Sequence, residues 1–198
     1  MYPLLRVEEP TAARPGRLRS AWRAAHEPVA GVSRRMQLAA YTVPLAVLPS
    51  SIWRLPAAFD DGFGVGERAY IVSLSIMSEI FAFTAIGLIA RWGQVFPCWV
   101  PVLRGRRIAT KAAVIPGAVG ATILTLMFTL LFIASELRGI TIRGDDLPDG
   151  SPSRATGWEA AWFYLCYAPL ILWGLLLAVL TVAYWKRRHT AEKVPPPA

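Results

Sequence analysis

Apolar positions in this chain come in long blocks rather than in alternation with polar ones. Four blocks, at about 37–56, 69–91, 112–135 and 159–185, are each long enough to cross a bilayer core as a helix, which takes roughly 20 apolar residues. Backbone groups in lipid must bond within their own segment, leaving helices or a closed barrel, and runs this continuous favour helices. The expected fold is all-α: a four-transmembrane-helix bundle over residues 36–188. A basic tail, residues 1–35, precedes it, and a polar, proline-rich tail, residues 189–198, follows it. Little chain is left for a separate soluble domain.

Composition agrees with the pattern. Of 198 residues, 55% are hydrophobic and only 17% charged, against about a quarter charged in soluble domains. The net charge of +8 is distributed by topology. Seven arginines precede the first span: Arg6, Arg14, Arg17, Arg19, Arg23, Arg34 and Arg35. The connection between the second and third spans adds Arg91, Arg104, Arg106, Arg107 and Lys111, and the C-terminal end adds Lys186, Arg187, Arg188 and Lys193. The opposite side holds Arg54, Arg68, Arg138, Arg143 and Arg154. The positive-inside rule then places both termini in the cytoplasm of a cell-membrane protein. Basic residues that hug span ends argue against a nucleic-acid partner. Eight acids, among them Asp60, Asp61, Glu136, Asp145 and Asp146, fall on the outer side. Cys98 lies by the inner surface and Cys166 in the outer part of the fourth span, too far apart for a disulfide.

Proline and aromatic residues refine the spans. Pro44 and Pro49 should kink the first span, each removing a ladder bond, with the serines after Pro49 helping to satisfy freed carbonyls. Pro169 is expected to kink the fourth. Trp53, Trp158, Trp162 and Tyr164 make an outer belt; Tyr184 and Trp185 make an inner one. "RPGRLRSAWRAAHEP" can form a surface helix with Trp22 as anchor on an anionic leaflet, or stay a disordered tail. "SRRMQLAA", residues 33–40, resembles a twin-arginine export signal, but no clean cleavage site follows it, and we read it as a basic flank. The loop "PAAFDDGFGVGERA" lacks the lysine and the context of a phosphate loop.

The inner connection "RWGQVFPCWVPVLRGRRIATK" is aromatic, broken by Pro97 and Pro101, and basic at its end. We expect it in the inner interface, with Trp92, Trp99, Arg104, Arg106 and Arg107 contacting anionic lipid or a partner. Together, "LPSSIWRL", "RWGQVFP.WVP...GRR" and "YAPLILWGLLLAVLTVAYWKRR" resemble a group of small multi-span integral membrane proteins of actinobacteria, a group without an assigned activity. The resemblance covers about residues 38–188. It implies location and architecture, and it carries over no catalytic or binding residues.

Candidate chemistry is sparse. Glu79 lies near the middle of the second span, where an ionised carboxylate is costly. It is expected protonated, paired with a cation or reached by water, and hydrogen bonding to a hydroxyl is the default. Helical spacing puts it with Ser75, Ser78 and Ala82, opposite Leu74, Met77, Phe81 and Leu88, so it should face the bundle interior. Thr125 is the best hydroxyl partner by depth, and Tyr167 a second. Arg54 is about 15 Å away along the membrane normal at 1.5 Å per residue, so pairing requires extension past Pro56 or a strong tilt. Ala113, Gly117, Ala121, Thr125 and Thr129 recur every four residues on the third span, a stripe that lets helices approach closely and that would also serve an oligomer. Asp60, Asp61, Asp145 and Asp146 are a conceivable outer site for a hard cation, against the commoner reading of solvated acidic loops. His26 and His189 lie in the tails, so no catalytic triad or zinc spacing can be assembled, and no cofactor is expected. The reading is therefore non-enzymatic: an accessory bundle that binds lipid or a membrane-protein partner. The alternative is a subunit of an oligomeric proton- or cation-coupled transporter or channel that uses Glu79.

Overall fold

The computed structural model describes residues 26–59, 62, 64–95, 106–140, 145–146 and 156–193. The proposed surface helix around Trp22, together with Asp60, Asp61, Cys98, Trp99 and Arg104, lies outside the described residues. Within them the chain is helical, and pairing between extended segments is limited to isolated bridges such as Pro28 with Ala90.

Helix α1 spans Arg34–Arg54. The Ser33 hydroxyl accepts from the Met36 N–H at 3.4 Å and caps it, so the serine of "SRR" starts the helix. Capping satisfies an N–H that has no intrahelical partner. Pro44 and Pro49 both lie inside α1. The Ser50 hydroxyl donates to the Val47 carbonyl at 2.8 Å. That is not the acceptor that Pro49 orphans, which belongs to Leu45 four residues back. Helix α2 spans Val65–Gly87. Its first turn is closed by the Glu67 carboxylate, which accepts from the Gly64 N–H at 3.0 Å. Helix α3 spans Thr110–Phe132 and widens into a π-turn over Ile133–Leu137.

The fourth apolar block is two helices, α4 (Trp158–Tyr167) and α5 (Leu170–Lys193). The interruption sits at Ala168–Pro169, where the proline has no N–H to continue the ladder. Helix resumes at once, so Trp158–Ala191 still counts as one membrane-length segment.

Three segments are long and apolar enough to cross a membrane: Val65–Gly87, Thr110–Leu137 and Trp158–Ala191. α1 has similar length, but Gln37, Thr42, Ser50, Ser51 and two prolines dilute it, and it is not among the three.

Packing places α1 between α2 and α5, while α3 packs chiefly on α5. α1 therefore carries much of the core, with Ala40, Val43, Val47 and Ser50 fully buried on one face. Its opposite face is Leu38, Tyr41, Leu45, Leu48 and Ile52, all exposed. The other helices also turn large apolar residues outward: Ile76 and Ile80 on α2, Ile115, Ile123 and Leu130 on α3, Leu172 and Val179 on α5. A protein bathed in water does not expose apolar surface on every helix.

The close approach of α3 and α5 rests on small residues from both. A Cβ on Gly117 would meet the Thr181 hydroxyl at 2.6 Å, and one on Gly174 would meet the Thr125 backbone nitrogen at 2.7 Å. Ala121 is buried between these contacts, whereas Thr129 is exposed. The stripe Gly117–Ala121–Thr125 is thus used within the chain, against α5.

Candidate functional site

Glu79 sits on the α2 face that meets α1. Ser75 and Ala82, one turn to either side, are buried, while Leu74, Met77 and Phe81 are exposed. Leu88, expected among the outward residues, is buried at the end of α2. The carboxylate does not meet Thr125, because α3 packs on α5 while α2 packs on α1. Matching depth in a bilayer does not make two helices neighbours. The hydroxyl beside Glu79 is Ser51 of α1, with the Arg54 guanidinium in electrostatic reach. Arg54 Nη2 donates to Ser51 Oγ at 3.5 Å, so the serine stands between cation and acid.

Arg54 comes into electrostatic reach of Glu79, short of an ion pair, with neither an extended α1 nor a contact through Pro56. Side chains on a helix lean toward its N-terminus, so a long arginine in the last turn reaches back over Ser51 and toward Glu79. Glu79 Oε1 and Arg54 Nε are both buried, with no hydrogen-bond partner among the described residues. Arg54 also acts on Tyr167, which stacks on Phe163 with centroids 4.7 Å apart. Tyr167 is therefore part of this neighbourhood, through Arg54. On its other side Glu79 lines an apolar recess of about 580 Å³ with His26, Pro44, Ile80, Phe83, Thr84 and Trp92.

A second polar contact is unforeseen. The Tyr164 hydroxyl donates to Glu136 Oε2 at 2.5 Å and ties α4 to the π-turn that ends α3. Both residues read as belt and loop positions in sequence, and nothing in their spacing pairs them.

At the opposite end of the bundle the chain is cross-tied by its basic residues. The Arg187 guanidinium donates to the Leu88 carbonyl at 2.8 Å, and that of Arg188 to the Ile108 carbonyl at 2.5 Å. Both cations lie over the Tyr184 ring, 5.5 and 5.7 Å from its centroid, and Tyr184 is buried. Arg91 pairs with Glu27 at 3.4 Å. The N–H of Val29 donates to the Ile89 carbonyl at 2.9 Å, holding the approach to α1 against the end of α2. Arg91, Arg107, Arg187 and Arg188 line one cleft of about 430 Å³, with Val29, Gln94 and Val95.

Trp92, expected in lipid or partner contact, is folded onto its own chain instead. It stacks on Phe83 at 6.0 Å and 10°, and a Cβ on Gly87 would meet its ring at 2.9 Å. Arg106 and Arg107 are exposed. Asp145 and Asp146 are exposed, and no group of three His, Cys, Asp or Glu that could hold a metal ion occurs among the described residues.

An apolar cleft of about 680 Å³ also opens between α2 and α3, floored by Trp173 and Leu177 of α5. It exists because α2 and α3 pack on different neighbours.

No family profile matches the chain, and no curated protein and no solved structure matches it.

Proposed function

We propose that the chain is a cell-membrane protein that crosses the bilayer four times, with α1, α2, α3 and the α4–α5 pair as spans and both termini in the cytoplasm. In this reading it is a non-catalytic accessory bundle, akin to the actinobacterial group that its inner-loop motif resembles. Its basic end holds anionic lipid or a membrane-protein partner. One observation carries the reading: four long helices turn apolar faces outward, and the arginines gather at the end where α1 begins, α2 ends, α3 begins and α5 ends. An outward apolar face on α1 is what a lipid-facing span requires, whatever its average hydropathy.

Impermeant thiol labelling of intact cells tests the topology, in a background of Cys98→Ser and Cys166→Ser. Gly62→Cys should react from outside, and Ala191→Cys only after permeabilisation. Labelling of both from the same side would remove the four-span reading. Replacing Arg104, Arg106 and Arg107 together should weaken co-purification of lipid or partner, and unchanged recovery would reduce that segment to an anchor.

A second reading is favoured by the unpartnered Glu79 Oε1 beside an apolar recess. Here the protein is a subunit of a proton- or cation-coupled assembly. Loss of proton-dependent flux in vesicles carrying Glu79→Gln would favour it. The lone hydroxyl neighbour and the nearby Arg54 support a structural carboxylate instead.

A further inference from the structure

We propose that the cleft lined by Arg91, Arg107, Arg187 and Arg188 is a phosphate-binding site, and that its occupant is the headgroup of an anionic phospholipid. The inference rests on the four-span reading, which puts this end of the bundle in the cytoplasmic leaflet.

Four arginines from three separate segments line one cleft of about 430 Å³. Within the protein they are poorly compensated. Among the described residues Glu27 is the one acid paired with any of them, on Arg91, and both partners are exposed, at 58% and 63%. Such a pair is screened by solvent and weak. Arg187 and Arg188 each give one terminal nitrogen to a backbone carbonyl, which neutralises no charge. Arg188 Nε is buried and has no hydrogen-bond partner among the described residues. Arg187 and Arg188 are close enough to act on each other electrostatically. Guanidinium groups present planar, paired donors that match phosphate oxygens. A phosphate here would offset the mutual repulsion and supply acceptors.

The position favours a lipid source. The cleft lies at the boundary between the basic end and the apolar girdle: Val182 and Trp185, in the turns leading to Arg187, are 51% and 44% exposed. Tryptophan at such a boundary is typical of headgroup depth. Basic pockets between spans on the cytoplasmic side are suited to anionic headgroups. Arg187 and Arg188 also hold the ends of α2 and α3 in place, so the cleft is shaped by the bundle rather than by a free tail.

The test uses the full chain, purified in a neutral detergent and mixed with equal phosphatidylglycerol and phosphatidylcholine, with retained lipid counted by native mass spectrometry. Arg91→Gln with Arg107→Gln should lower the phosphatidylglycerol preference about tenfold, the loss of one to two charge-assisted contacts. Arg35→Gln, exposed at the same end of the bundle and outside the cleft, should leave it unchanged. Arg107→Gln alone covers a double variant that fails to fold, because the Arg107 side chain has no partner among the described residues. The lipid site is refuted by no preference in the unaltered protein, or by an equal loss with Arg35→Gln. Displacement of phosphatidylglycerol by millimolar inorganic phosphate would make the ligand a free anion and overturn the lipid assignment. Thiol labelling of intact cells, as above, separates a failed site from a failed topology.

Discussion

Thr125 of α3 lies against Gly174 of α5, its backbone nitrogen 2.7 Å from where a Cβ on that glycine would stand. The obstacle is main chain, which cannot rotate aside as a side chain would. Gly117, two turns earlier on α3, faces the Thr181 side chain, whose hydroxyl would stand 2.6 Å from its Cβ. Two glycines on opposite helices thus set the distance between α3 and α5, and in lipid that distance governs the packing that holds helices together.

Gly174→Ala should therefore destabilise the bundle by about 1–3 kcal/mol, the usual cost of overpacking. Gly120→Ala is the contrast. Its Cβ would stand 3.6 Å from Leu177, an ordinary contact, and alanine is the better helix former by about 1 kcal/mol. Melting in detergent should fall for the first and hold or rise for the second. Equal behaviour of the two would show that α3 and α5 are not in this close contact.

The Tyr164–Glu136 bond supplies the next expectation. Tyr164→Phe removes a 2.5 Å donor to a half-buried carboxylate, and hydrogen bonds to charged groups contribute about 1.5–3 kcal/mol. The lost tie should loosen the π-turn after α3, so amides around Ser135–Leu137 should exchange hydrogen faster than those at Gly120. Unchanged exchange at both would mean that the turn is held by its backbone alone.

The contrast between these pairs shows what the sequence made legible. Apolar blocks located the long helices to within a few residues, but only three of the four are long and apolar enough to cross a membrane; the first block, α1, is diluted by polar residues and prolines. Small residues at a spacing of four picked out the packing face of α3, since close approach excludes side chains. Which helix met that face was hidden. Glu79 was matched to Thr125 by depth, but α2 and α3 pack on different helices, and lateral order leaves no trace in span length. Ser51 was read as a repair for Pro49, and its place beside Glu79 follows only from the contact between α1 and α2. The cleft of four arginines draws from both ends of the connection after α2 and from the end of α5, so no local motif announces it. Basic residues at span ends were visible as topology, and their convergence was not.

Glu79 and Arg54 offer the most discriminating experiment. They lie on different helices, with Ser51 between them, and atoms of both are buried without hydrogen-bond partners. If Arg54 compensates the carboxylate, Arg54→Gln takes the nearby cation from a half-buried acid, and leaving such a group uncompensated costs about 1–3 kcal/mol. Glu79→Gln strands the arginine instead, but a cation near a helix end can extend toward the interface, so it should cost less. The double variant should be more stable than Arg54→Gln alone, because nothing charged is then left behind. The cycle of unfolding free energies in detergent should yield a coupling of about 0.5–3 kcal/mol. Additive effects would mean that the two groups act independently, leaving Ser51 as the main compensation for Glu79. Ser51→Ala would then be the more damaging change, since it also removes the acceptor that holds Arg54 in place.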